Sequence, residues 1–181
     1  MPAVHYARGE YHRIRGDYLA ALDEIDEALK QTAPGQNQNW AFIAAGYLQT
    51  LLALGRDKET EAEARKFLKA AKKENLGYVE AYLLMPLAIA QVKMGDYENA
   101  VETAETAINV FTALGTKGLS LGLAYETRAR VAILMGDRRN NTTVLWLGQL
   151  PECDSVMVPE ADLVETIQDL CGRLGLEFYG P

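Results

Sequence analysis

Residues 85–108 read MPLAIAQVKMGDYENAVETAETAI, and their order decides the fold. An apolar run ends at Met94, Gly95 follows, and a polar run begins at Asp96. Glycine stops a helix because it takes a left-handed backbone at little cost. Aspartate just after it can cap a new helix, where its carboxylate meets free amide groups. The stretch therefore reads as helix, tight turn, helix. The second helix carries Tyr97, then Ala100, and seven positions later Ala107 and Ile108.

The same punctuation recurs. IRGDY surrounds Gly16, LALGRD surrounds Gly55 and ILMGDR surrounds Gly136, so with Gly95 the turn glycines repeat at a nearly constant period of about 40 residues. After Gly16 the chain continues DYLAALDEIDEAL, with Tyr18, Ala21, Ala28 and Leu29 at the offsets of Tyr97, Ala100, Ala107 and Ile108. Gly9, Ala88 and Ala129 each lie seven positions before a turn glycine. Small residues at such offsets let paired helices approach closely. Self-similarity at a fixed period of this length signals stacked repeats.

Small residue, Gly-Asp-Tyr, Ala, then Ala-Leu is a pattern that resembles the tetratricopeptide repeat, a helix–turn–helix unit. The resemblance covers about residues 3 to 136 and is best in the first and third units. The period is longer than the family's usual one of about 34 residues. Thr60 and Phe67 stand in the second unit, and Asn141 and Gly148 in the fourth, where small residues belong. The long period is similar to that of repeats in sensor domains of large bacterial transcription activators and signalling kinases. The resemblance implies an all-α fold: a right-handed superhelical solenoid of antiparallel helix pairs within one domain, residues 1–181. Repeats fall at about 3–34, 38–75, 78–115 and 118–150.

Local signals place the helices at about 3–15, 17–32, 38–54, 58–75, 78–94, 97–114 and 119–135. Ala33-Pro34-Gly35 breaks the chain, and Asn75-Leu76-Gly77 and Gly115 are helix stops. Asn140 to Thr143 is poor helix material, because its side chains compete with backbone bonding. Val144–Leu147 reads either as a short helix end or as an extended segment. Pro159 opens a last amphipathic stretch with Leu163, Ile167, Leu170 and Leu174 on one face. It reads as a capping helix, about 159–175, covering the open end of the stack.

Composition narrows the function. A net charge of -7 opposes binding to phosphate backbones, so nucleic acid is not an expected partner. Two cysteines, Cys153 and Cys171, make neither a disulfide framework nor a zinc site. The N-terminus lacks the apolar core of a signal peptide, and the most apolar run, 40–54, is too short for a membrane span. A cytoplasmic setting is the resulting expectation. Without a secretory signal, the Asn140 and Asn141 sequons are not expected to carry sugar. His5, Glu10 and His12 share a terminal helix but lack further convergent ligands, so no metal site is expected. No nucleophile elbow, phosphate loop or zinc-protease motif occurs, and neither catalysis nor a cofactor is expected.

The first helix of each unit is apolar nearly all round, and the second is charged on one face, so the first helices are expected to line an inner wall. Family positions placed on this sequence make that wall from Tyr6, Glu10 and Arg13; Phe42, Ala45 and Gln49; Tyr82, Met85 and Ile89; and Glu126 and Arg130. These residues also read as core packing, and the two readings remain open. Some family members hold a C-terminal carboxylate with Lys and Asn at these positions; Tyr6, Glu10, Ala45 and Gln49 stand there instead, so no such clamp is expected. Pro86 interrupts the bonding of its helix, opening the groove or simply bending the stack. Lys66, Lys69, Lys72 and Lys73 form a basic strip on an outer face. The expected function is a scaffold that docks a protein or peptide. The alternative is a ligand- or peptide-sensing module of a larger signalling protein. Homodimer formation stays open, since Trp146 and the apolar groove offer surface for it.

Overall fold

The structure, a computed structural model, describes residues 1–37, 39–135, 143–144 and 157–158. It is all-helical through residue 135. The helices are α1 (Pro2–Ile14), α2 (Tyr18–Lys30), α3 (Trp40–Ala53), α4 (Asp57–Lys73), α5 (Glu80–Lys93), α6 (Tyr97–Ala113) and α7 (Leu119–Leu134), with a 3-10 turn, Gly77–Val79, leading into α5. Two short strands, β1 (Thr143–Val144) and β2 (Met157–Val158), pair antiparallel. The expected second half of the fourth repeat, the capping helix at 159–175, and Trp146, Cys153 and Cys171 lie outside the described residues.

One turn is used five times. Gly16, Gly55, Asn75, Gly95 and Gly115 hold φ of 83°, 71°, 56°, 83° and 67°. The next residue's N–H reaches back five positions to a helix carbonyl. Asp17 bonds His12 at 2.9 Å, Arg56 bonds Leu51 at 3.0 Å, Leu76 bonds Ala71 at 2.9 Å, Asp96 bonds Gln91 at 3.0 Å and Thr116 bonds Phe111 at 2.9 Å. This is the Schellman cap, which satisfies carbonyls a helix end would otherwise leave unpaired. From Gly55 through Gly115 the left-handed residues recur at half the repeat period seen in sequence. The junction between α2 and α3 is the exception, a longer loop through Pro34 and Gly35.

The aspartates behave differently from expectation. Asp17 and Asp96 occupy the N-cap positions of α2 and α6, yet neither makes a side-chain capping bond. The Asp96 carboxylate instead accepts both of its bonds from Asn99 Nδ2, each 2.9 Å. The tight cap before it fixes Asp96 at φ -86° and ψ 70°, away from the extended backbone usual at an N-cap. Asp137 lies outside the described residues.

Packing follows the small residues. Gly9 is buried, and a methyl group there would collide with Ile25 and lie 3.2 Å from the Ala21 carbonyl oxygen. Ala88 is buried against Ala100 and Ala104 in the matching contact of α5 with α6, whereas Ala129 is only half-buried. Thr60 and Phe67, the departures in the second unit, are buried at the same register. Thr60 satisfies its hydroxyl on the Arg56 carbonyl at 3.0 Å. Phe67 and Ala71 in α4 exchange sizes with Ala107 and Phe111 in α6, so the bulky ring moves by one helical turn. Total filled volume is thereby roughly kept, which cores tolerate well.

Consecutive helices pack on one another along the whole series, and α3 packs on α5 and α5 on α7. Helix α1 touches α3 more lightly, and α2, α4 and α6 make no comparable mutual contact. The odd helices therefore form a connected layer and the even helices lie apart on it. This placement explains why α3 and α5 are apolar nearly all round: they are covered on several sides. Among the described residues, no helix is long and apolar enough to cross a membrane.

Candidate functional site

The odd-helix layer carries a cleft of about 570 Å³. Arg13 comes from α1, Gln49 from α3, Met85, Pro86, Ile89 and Lys93 from α5, and Glu126 and Arg130 from α7. Six residues expected on the inner wall thus meet in one place: Arg13, Gln49, Met85, Ile89, Glu126 and Arg130. Met85 and Ile89 are buried, so they act as wall and floor more than as protruding contacts. Ala45 is buried too and is core.

The other four expected residues sit along the same layer. Phe42, 47% exposed, leans on the Tyr82 ring at 5.4 Å between centroids. Tyr82 in turn packs edge-on against Phe111 at 5.1 Å, and its hydroxyl meets the Ser120 hydroxyl at 2.9 Å. This aromatic ledge is partly anchored in the core and partly open. Tyr6 and Glu10 approach α3 at Gly46, where a methyl group would lie 3.1 Å from each of them. Gly46 is a contact point the sequence reading did not single out; its only signal was a glycine inside a helical pattern.

Charge in the cleft is organised by pairs. Glu10 accepts two bonds from Arg13, 3.0 Å from Nε and 2.6 Å from Nη2. That bond holds the Arg13 proton more tightly than usual. The Tyr6 phenol also keeps its proton above the ordinary value, first through burial and then through the Glu10 carboxylate, against a smaller opposing effect of Arg13. Lys93 donates to the Leu52 carbonyl at 3.2 Å and lies 3.4 Å from Asp57, tying the end of α3 and the start of α4 to α5. Arg130 and Glu126 approach only to 4.0 Å, and both side chains are 59% exposed.

Pro86 stands inside α5, which continues through it to Lys93. Proline has no N–H, so the Tyr82 carbonyl one turn earlier receives no bond from position 86. Pro86 itself lines the cleft.

His5 bonds Glu24 at 2.7 Å and His12 lies 3.8 Å from Asp17, so the histidines diverge toward different carboxylates. Among the described residues no three potential ligands converge on a metal-sized space. Lys66 pairs with Glu63 and lies over the Phe67 ring at 5.8 Å, while Lys69, Lys72 and Lys73 reach toward solvent around it. A second cleft of about 390 Å³ opens between α2 and α4, with Trp40, Tyr47 and Phe67 in its wall. Burial, then Asp26, Glu59 and Glu63, hold the Tyr47 phenol protonated above its usual value, with Arg56 opposing. No protein-family model matches the chain, and no curated protein is significantly similar to it.

Proposed function

We propose that this chain is a tetratricopeptide-like scaffold, a right-handed solenoid of antiparallel helix pairs whose inner groove docks a protein or peptide without catalysis. The observation that carries this reading is the cleft at the odd helices, which gathers residues from α1, α3, α5 and α7. An apolar floor with polar groups at its rim suits a docked segment. Phe42 and Tyr82 extend the surface with aromatic anchors, the residue type that dominates binding energy at interfaces. The setting in this reading is cytoplasmic.

A sensor module remains the second reading. A cleft of about 570 Å³ is also within the usual range of small-ligand sites, roughly 300–1,000 Å³.

Affinity capture from the native lysate tests the scaffold reading. Phe42→Ser with Arg130→Glu changes two exposed positions and is expected to leave the helical spectrum and melting temperature intact. Proteins retained by the wild type are expected to be lost from this variant. A folded variant that keeps every partner moves the binding face away from the groove. Stabilisation by a metabolite, with no captured protein, favours the sensor.

A further inference from the structure

Away from the groove, the junction between α2 and α3 builds a second kind of surface. Its sequence reads PGQNQNW, residues 34–40, rich in carboxamides and free of charge. The loop meets the link between α4 and α5, and the two form a pocket of about 540 Å³ that shares no residue with the groove. Gln36, Asn37 and Asn39 line it from the loop, and Leu76, Tyr78 and Val79 line it from the link. Trp40, 3% exposed and set edge-on against Phe67 at 5.9 Å, is a fixed wall. Tyr78 is 51% exposed, so its ring is open to a ligand. Among the described residues no ionised side chain lines the pocket, in a chain of which 24% is charged.

The loop holds its shape without using up its amides. The N–H groups of Gln36 and Asn37 both donate to the Ala33 carbonyl at 3.2 Å, and Trp40 donates to the Asn37 carbonyl at 3.1 Å. Asn37 Oδ1 accepts from the Asn39 N–H at 2.8 Å. Asn39 stands at the N-cap of α3, yet its side chain makes no capping bond. The carboxamides of Gln36 and Asn39, and Asn37 Nδ2, make no hydrogen bond to another described residue. At the pocket's edge lies a carboxylate: a methyl group on Gly35 would stand 3.1 Å from Glu74.

We propose that this pocket binds an uncharged, hydroxyl-rich ligand, a sugar of one or two rings. A hydroxyl and a carboxamide each donate and accept, so several amides pair with several hydroxyls while neither side carries charge. The C–H face of a sugar ring is apolar, and the exposed Tyr78 ring gives it a flat surface to rest on. An anion meets no cation in the lining and is repelled by Glu74 and by the net charge of -7. A wholly apolar ligand strips water from three carboxamides and returns no hydrogen bond. The volume falls in the range of small-ligand sites, roughly 300–1,000 Å³. This site is independent of the groove and of what the groove docks.

Saturation-transfer NMR on the full chain tests this, with a panel of neutral sugars (glucose, galactose, mannose, N-acetylglucosamine and their disaccharides) and the matching sugar phosphates. At least one neutral sugar is expected to receive saturation, and its phosphate is expected to receive less. Gln36→Ala with Tyr78→Ala changes two exposed positions. It is expected to keep the helical spectrum and melting temperature while weakening the sugar at least tenfold. Asn39→Ala removes no capping bond, so it is expected to weaken binding severalfold at unchanged stability. In a Trp146→Phe background Trp40 is the one remaining indole, and the bound sugar is expected to shift its emission. No response to any neutral sugar overturns the proposal, as does a response that survives loss of the Gln36 and Tyr78 side chains in a folded variant. A sugar phosphate that binds more tightly than its parent overturns the uncharged class. A response lost in Phe42→Ser with Arg130→Glu, and kept in the pocket variant, places the sugar in the groove and overturns the pocket.

Discussion

Gln91 is 2% exposed, and its Oε1 has no hydrogen-bond partner among the described residues. Leu51 stands one repeat earlier, buried at the same step of its helix. A buried amide oxygen without a donor costs about 1–3 kcal/mol. Replacing Gln91 by Leu removes that cost at nearly constant volume. The expected result is a gain of about 1 kcal/mol in urea unfolding, the lower end of that range. An unchanged or lower stability would mean the amide has a partner, such as a bound water. Gly9 gives the opposite case. Gly9→Ala drives a methyl group into Ile25, and overpacking of this kind costs about 1–3 kcal/mol. A shifted urea midpoint at constant slope is its signature. Sequence offsets alone marked Gly9, because two helices joined by so short a turn must meet at small residues. They gave no warning of Gln91, whose neighbours are set by tertiary packing.

At the scale of the helix the decisive device is the turn. Gly95→Ala places a side chain at φ 83°, which costs about 1–2 kcal/mol. Asn75 occupies the same place one step earlier at φ 56°, so Asn75→Gly is expected to stabilise, by a smaller amount. Opposite signs for two substitutions at equivalent positions are readable in parallel thermal melts; a shared sign would show that the turns are not equivalent. Helix limits were legible to within about two residues, because glycine stops and apolar periodicity are local signals. The Gly77–Val79 3-10 turn and the silent Asp17 and Asp96 carboxylates were not legible. They depend on how a tight cap aims the chain into the next element. The cleft was legible in part. The family resemblance implied Met85, Ile89 and Arg130 as inner-wall residues, but the pairs Arg13–Glu10 and Lys93–Asp57, and the approach at Gly46, needed three dimensions.

For the whole molecule, burial is concentrated in the middle of the series. Helix α1 buries only Gly9, whereas α5 buries a continuous run from Met85 to Val92. Local opening follows contact density, so stability is not uniform along such a chain. Native-state hydrogen exchange is expected to find the slowest amides in α3 and α5 and the fastest helical amides in α1. Uniform protection from α1 to α7 would mean that the helices open only together. The groove then spans regions of unequal rigidity: Arg13 on the looser end, Met85 and Ile89 on the firm centre. The recurring cap has one more consequence, for how such a chain can change length. Because α3, α4, α5 and α6 all end in the same turn, the turn does not distinguish one kind of helix from the other; only the side chains do. Duplicating or excising a whole helix pair keeps each helix in its own layer. An indel of a single helix joins equally well at the backbone, yet it swaps layers from that point on, sending a charged helix such as α4 into the place of an apolar one such as α5. The geometry of the turn permits lengthening in single helices, and the hydrophobic pattern restricts it to pairs.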